Sequence, residues 1–225
     1  MIERVLEEEV MDTEQEAVDY NEMDHSEVNR IFVDDLLAAG FQGGDVVDVG
    51  TGTALIPVEL AKRATDLGEL RIMAIDAAAN MLELAKMNIS VHELESVIEL
   101  SQEDSKRMSF EDDFFDAIIS NSIIHHIPEP IECVREMVRV CKPGGLIFVR
   151  DLMRPESDEQ VVQLVETYAG EENDHQKQMF DDSLRAALTV DEMQGLVTQF
   201  GFQPESVAAN SDRHWTWIAR KPSES

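Results

Sequence analysis

Only two cysteines occur in the 225-residue chain, Cys133 and Cys141. They lie eight residues apart in one predicted helix, too far for a disulfide within it. Neither belongs to a C-x-x-C pair of the metal-binding kind, so both are expected to be reduced core residues. Basic residues are scarce as well. The 18 Lys and Arg against 47 Asp and Glu leave a formal charge of −29. A field of that sign repels a phosphate backbone and an anionic membrane alike, which excludes nucleic acid and membrane as expected partners. It reads instead as a solvated surface that keeps the chain soluble. No apolar run approaches the ~20 residues of a membrane-crossing helix. The start, Met1-Ile2-Glu3-Arg4-Val5-Leu6-Glu7, lacks the basic opening and apolar middle of a signal peptide. A cytoplasmic location is therefore expected.

What is present alternates. Strand-like runs fall at 45–49, 70–75, 97–101, 114–119 and 145–150, with helical stretches near 55–66, 78–89 and 129–141 between them. Such alternation predicts an α/β domain with a mainly parallel sheet. In the 129–141 helix, Ile131, Val134, Val138 and Cys141 are expected on one face. Ahead of the first strand, residues 1–40 read as a helical arm or lid with a helix near 26–39. The domain proper is then 41–225. Within it, 152–200 reads as a helical covering segment, with Thr189 a predicted N-cap and Glu192 three residues on. Val207-Ala208-Ala209 and Trp215–Ala219 fit a terminal antiparallel pair.

The densest signal is Asp45-Val-Val-Asp48-Val-Gly50-Thr51-Gly52-Thr-Ala54. It reads as a buried strand, an acid near its end, a glycine turn, then a helix. The dinucleotide fingerprint G-x-G-x-x-G needs a third glycine where this chain has Leu55, and that glycine permits close helix–strand packing around a pyrophosphate. No Gly-Lys-Ser/Thr follows, so a nucleoside-triphosphate loop is excluded too. The pattern resembles motif I of the class I S-adenosylmethionine-dependent methyltransferases, D/E-x-G-x-G-x-G. Asp48, Gly50 and Gly52 match it, and Ala54 replaces the last glycine. A sulfonium cofactor has no phosphate to cradle. It needs close backbone approach, which glycine allows, and it suits a nearby acid.

Further stretches carry the same resemblance in order. Leu70–Ile75 is a strand that ends in Asp76, the position of the family's acid that accepts hydrogen bonds from both ribose hydroxyls. A helix-capping Asp76 is the plainer alternative. Ala77 follows it, and Met81 resembles the apolar packer against adenine. Asp104, with Ser105 beside it, matches the acid that binds the adenine amino group, Glu103 being a one-residue alternative. Asp113–Pro128, containing Asn121, His125 and His126, resembles the fourth-strand motif of the small-molecule members. Arg139–Gly145 resembles their R-x-L-K-P-G-G turn. Tyr20, with Asn21, Met23 and Asp24, resembles an arm that folds over the cofactor.

The resemblance implies a Rossmann-like fold, a seven-stranded mainly parallel sheet with an antiparallel last strand and helices on both faces. It implies S-adenosylmethionine as cofactor and S-adenosylhomocysteine as product, bound by Asp48, Gly50, Thr51, Gly52, Asp76, Ala77, Met81, Asp104, Ser105, Asn121 and Tyr20. It also implies methyl transfer to a small-molecule acceptor. A regulatory module that binds the cofactor without methyl transfer, or a protein methyltransferase, is the alternative. Methyl transfer needs alignment and, for some acceptors, a base. His126, His125 and Asp151 are the candidates, because they follow the fourth and fifth strands. The histidine pair could instead only pack or orient its loop, and Asp151 could pair with Arg150 or Arg154. His125, His126, His175 and Asp151 lack the spacing of a metal site, so no metal is expected.

Overall fold

The computed structural model describes residues 2–7, 10, 12–22, 26–64 and 66–223, without the side chains of Glu14, Glu16, Tyr20 and Glu22. Strands β1 (Gly44–Val49), β2 (Leu70–Asp76), β3 (Ile98–Gln102), β4 (Phe115–Asn121), β5 (Cys141–Leu152), β6 (Val207–Ala209) and β7 (His214–Arg220) form one sheet in the order β3-β2-β1-β4-β5-β7-β6. The pairings among β1 to β5 are parallel, while β7 runs antiparallel to both β5 and β6. This is the seven-stranded, mainly parallel arrangement expected from the sequence.

Parallel strands between two helical layers bury both faces, so their residues read as near-continuous apolar runs. Alternate residues then serve different cores. Val47, Val49, Ile118, Ile147 and Val149 face one core; Val46, Ala117, Ile119, Leu146 and Phe148 face the other. The second core is covered by α2 (Ser26–Ala38), α3 (Leu55–Arg63) and α4 (Ala79–Val91). Phe32 of α2 meets Phe148 edge-on at 5.0 Å. Thus α2 is a wall of the core, and only the chain ahead of it remains as a candidate lid. That chain includes α1 (Glu14–Glu22), whose Ala17 packs on Ala78 and Met81.

The first core is covered by α5 (Pro130–Val140) and α8 (Val190–Thr198). Here the structure corrects the sequence reading. The buried face of α5 is Cys133, Val134, Met137 and Val140, with Ile131 and Val138 only half-buried. Cys141 is not helical: it opens β5, and Lys142–Gly145 bulge out of the β4–β5 pairing. Helices α6 (Asp158–Ala169) and α7 (Asp174–Ala186) share a separate small core of Val161, Leu164, Leu184 and Ala187. The Thr189 cap forms as a capping box with Glu192.

Candidate active site

The strand order reverses between β1 and β4, which opens a crevice at their carboxyl ends, the place where open α/β sheets bind ligands. The turn after β1 lies there. Its Gly50 holds φ +72° and Gly52 φ +54°. A Cβ on Gly50 would stand 2.4 Å from Cδ1 and 2.8 Å from Cβ of Ile123, so no side chain fits. Gly50 N and Thr51 N both donate to Ile75 O, at 2.9 and 2.8 Å, which ties the turn to β2. Gly52 N donates to Asp76 Oδ2 at 2.8 Å, and Ala78 N donates to Asp76 Oδ1 at 2.9 Å. Asp76 therefore joins the glycine turn to the next turn; Ala78, not Asp76, occupies the cap position of α4. Burial raises the Asp76 pKa, and backbone N–H donors of Ala78, Gly52 and Ala77 pull it back.

Around this turn is a cleft with about 800 Å³ of empty space, its open mouth included. Gly50, Gly52, Asp76, Ala77, Met81, Asp104, Ser105, Asn121 and His126 all line it. Glu103 lines it too, but its carboxylate accepts from Ser109 Oγ at 2.5 Å and from Ser109 N at 3.2 Å, which ties it to the following loop. Asp104 Oδ1 accepts from Lys106 N at 2.9 Å. A smaller cavity of about 290 Å³ adjoins the cleft, lined by Asn29, Asp48, Thr51, Thr53 and Leu55 among others. Gly50 and Asn121 line both. Asp48 is buried there, and burial raises its pKa to about 7, with the Thr51 hydroxyl opposing the shift and the Asp76 charge adding to it. Tyr20 lies in α1, but its side chain, like Met23 and Asp24 as a whole, is outside the described residues.

The three catalytic candidates separate. His126 lines the cleft, whereas His125 and Asp151 do not. Both are buried behind it, with His125 Nδ1 2.5 Å from Asp151 Oδ1. Asp151 Oδ2 also accepts from Ile124 N and His125 N, at 2.5 and 3.2 Å, and Oδ1 accepts from Leu152 N at 2.6 Å. Burial alone would lower the His125 pKa, but the Asp151 carboxylate holds it above its ordinary value. Burial alone would raise Asp151, but His125 and the backbone donor hold it down. This pair anchors the short 3-10 turn Ile124–His126 to β5. The buried Asp151 carboxylate is occupied by His125 and three backbone donors, Ile124 N, His125 N and Leu152 N. Arg150 and Arg154 are not its partners, since they pair with Asp35 and Glu192.

The chemistry of the donors fits a sulfonium nucleoside. Asp48 precedes the glycine turn, Asp76 accepts from it, and the Thr53 hydroxyl is buried without a hydrogen-bond partner among the described residues. Residues 47–149 match the family model of the methyltransferase domain. The chain is 34% identical over 113 residues to demethylmenaquinone methyltransferase of Desulfitobacterium hafniense (strain Y51), covering 50% of this chain and 44% of that protein. It is 34% identical over 108 residues to phosphatidylethanolamine N-methyltransferase of Cereibacter sphaeroides, covering 48% and 50%. Its fold matches the crystal structure of a SAM dependent methyltransferase from Aquifex aeolicus with a TM-score of 0.69 at 17% identity, over 93% of this chain and 98% of that one. Residues 47–149 match the methyltransferase-domain family, and the fold is that of the Aquifex aeolicus structure. The chain spans about half the length of the curated relatives it matches.

Several residues around the cleft escaped the sequence reading. Val10, Lys106, Ile123 and Ile127 line it. Ile123 and Ile127 flank the recognised histidines, so proximity to that motif was a usable signal. Val10 was not legible, because nothing local marks an acidic N-terminal stretch as a cavity wall. Arg4 was equally silent: Nε donates to Ala186 O at 2.6 Å, and Nη2 donates to the carbonyls of His125 and Ile127 at 3.1 and 3.0 Å.

Proposed function

We propose that the chain transfers a methyl group from S-adenosylmethionine to a small-molecule acceptor. The observation that carries this reading is the pair of cavities that meet at Gly50 and Asn121, with Asp76 in one and buried Asp48 in the other. Asp76, fixed by two backbone donors, offers its remaining lone pairs to the ribose hydroxyls. Met81 and Ala77 wall the adenine, and Asp104 and Ser105 stand at the position for its amino edge. Asp48, Thr51 and the Thr53 hydroxyl receive the methionyl end, where a carboxylate faces an ammonium. Bound S-adenosylmethionine supplies an electrophilic methyl group on a sulfonium that leaves as a neutral thioether.

The residues that remain along the cleft form the acceptor side: Val10, Ile123 and Ile127 with the His126 imidazole. Lys106 and Glu103 also line the cleft but pair with Asp104 and Ser109, so the acceptor wall is mostly apolar with one imidazole, which suits a neutral organic acceptor and excludes water from the displacement. His126 is assigned to hold the acceptor through its Nε2; His125 and Asp151 position the turn that carries it. Two of the matched relatives are named for demethylmenaquinone and phosphatidylethanolamine, both small molecules and not proteins.

Calorimetric titration with S-adenosylhomocysteine tests the premise. Binding is expected for the wild type. Asp76→Ala should weaken it by about tenfold or more, the loss of hydrogen bonds to a charged acceptor group. A folded wild-type protein that gives no heat at millimolar ligand would overturn the reading.

A further inference from the structure

Linear spacing argues against a metal site, because the two adjacent histidines belong to no H-x-x-x-H or H-E-x-x-H pattern that would bring in a third ligand. The fold supplies one from the N-terminal strap. Glu7, His125 and His126 bring a carboxylate oxygen and two imidazole nitrogens within 4.8 Å of one another. Glu7 Oε1 lies 3.5 Å from His125 Nε2 and 3.1 Å from His126 Nδ1. Bonds of 2.0–2.1 Å to a tetrahedral zinc place neighbouring donor atoms about 3.3 Å apart. The two separations bracket that value, and the longer one exceeds a hydrogen bond.

We propose that Glu7, His125 and His126 bind a divalent transition-metal ion of the zinc class, which fastens the N-terminal strap to the loop that lines the cleft. The surrounding groups are arranged for it. Asp151 takes His125 Nδ1 and leaves Nε2 directed at Glu7, the carboxylate–histidine pairing that orients metal ligands. Ser183 Oγ donates to Glu7 Oε2 at 3.2 Å, so Oε1 is the oxygen turned to the imidazoles. Oε1 is buried, and the two imidazole nitrogens are its polar neighbours among the described residues. Two nitrogens and one oxygen select a zinc-like ion over magnesium or calcium, which favour all-oxygen shells. A water completes the fourth position. Arg4 is a cation on the same strap and works against a bound ion, but its donors are taken by four backbone carbonyls. Glu7 and Asp151 supply two negative charges against it. The consequence falls on the cleft: Val10, three residues beyond Glu7, is a cleft wall.

The test is a titration of chelator-treated protein with Co²⁺ and then Zn²⁺. One equivalent should bind, with the intense visible spectrum of low-coordinate cobalt that zinc abolishes. Glu7→Gln and His126→Ala should each weaken binding at least about tenfold, with far-ultraviolet dichroism unchanged. His175→Ala should leave it as it was. Equal affinity in wild type and Glu7→Gln, or no binding by the folded wild type at millimolar metal, would overturn the proposal. The readout is metal occupancy, so it fails or succeeds independently of cofactor binding.

Discussion

Gly50, Gly52 and Ala54 all hold left-handed backbone within one turn, and only the third carries a side chain. Ala54, at φ 60° and ψ 28°, stands where the family pattern has its last glycine. Left-handed backbone costs an L-residue about 1–2 kcal/mol, while the fully buried Ala54 methyl returns about 0.8 kcal/mol. Those terms nearly cancel, which explains how the substitution is tolerated. Ala54→Gly should therefore shift stability by less than about 1 kcal/mol, whereas β-branched Ala54→Val should lose more than about 2 kcal/mol. Denaturant midpoints measure both. Asp48 gives a pH prediction. Its folded pKa of about 7 lies above the ordinary carboxylate value, so between about pH 4 and 7 the native state holds a proton that the unfolded chain has lost. The cofactor-free protein loses that contribution, on the order of a few kcal/mol, as pH rises through 7. A cationic ligand prefers the ionised acid. Affinity for S-adenosylmethionine should thus increase from pH 6 to about 8, and Asp48→Asn should flatten both trends.

Elements meet abruptly at the α5–β5 junction. The helix stops at Val140, the strand opens at Cys141, and the bulge at Lys142–Gly145 leaves room for the salt bridge from Lys142 to Asp116. Gly145 lies where a Cβ would come 2.7 Å from Cys141 Sγ. The two cysteines consequently belong to different elements and are both buried and free. Burial pushes each thiol up to about 12. Neither should react with a thiol reagent at pH 8 while the protein is native, and unfolding in denaturant should release both together. Fast reaction of either in native buffer would show that the junction opens locally.

Across the whole molecule, the charge of −29 is spread over a surface with 18 basic residues to offset it. Local pairs such as Arg139 with Glu136 and Arg185 with Asp181 relieve only some of the repulsion. Raising salt shortens the screening length from ~30 Å at 0.01 M to ~3 Å at 1 M. Self-repulsion of the compact state falls with it, so the melting temperature should rise by a few degrees over that range. Two segments far apart in sequence also meet at this scale. Residues 2–7 and α1 lie against α7: Val5 N donates to Arg185 O, and Asp19 accepts from His175 Nδ1 at 2.9 Å. Together they border the face of the cleft that bears Val10 and His126.

The order of strands and helices was legible in the chain because buried parallel strands and amphipathic helices each leave a local period. The candidate cofactor side was legible in part: Asp48, Gly50 and Gly52 lie within one turn, whereas Asp76, 24 residues beyond Gly52, reaches it because β2 is the parallel neighbour of β1. The α5 face was misjudged by part of a turn, since a 3.6-residue period over three turns leaves its phase to whatever the helix packs against. Nothing local distinguished His125 from His126, because adjacent residues leave a 3-10 turn in different directions and only the partner decides which is buried. Asp151 lies 26 residues beyond His125, and Glu7 lies 118 before it. The chain by itself determined the sheet, the glycine turn and the acids that flank it. Tertiary structure alone decided which histidine faces the cleft and which is locked by a carboxylate, because those contacts join residues with no local pattern in common.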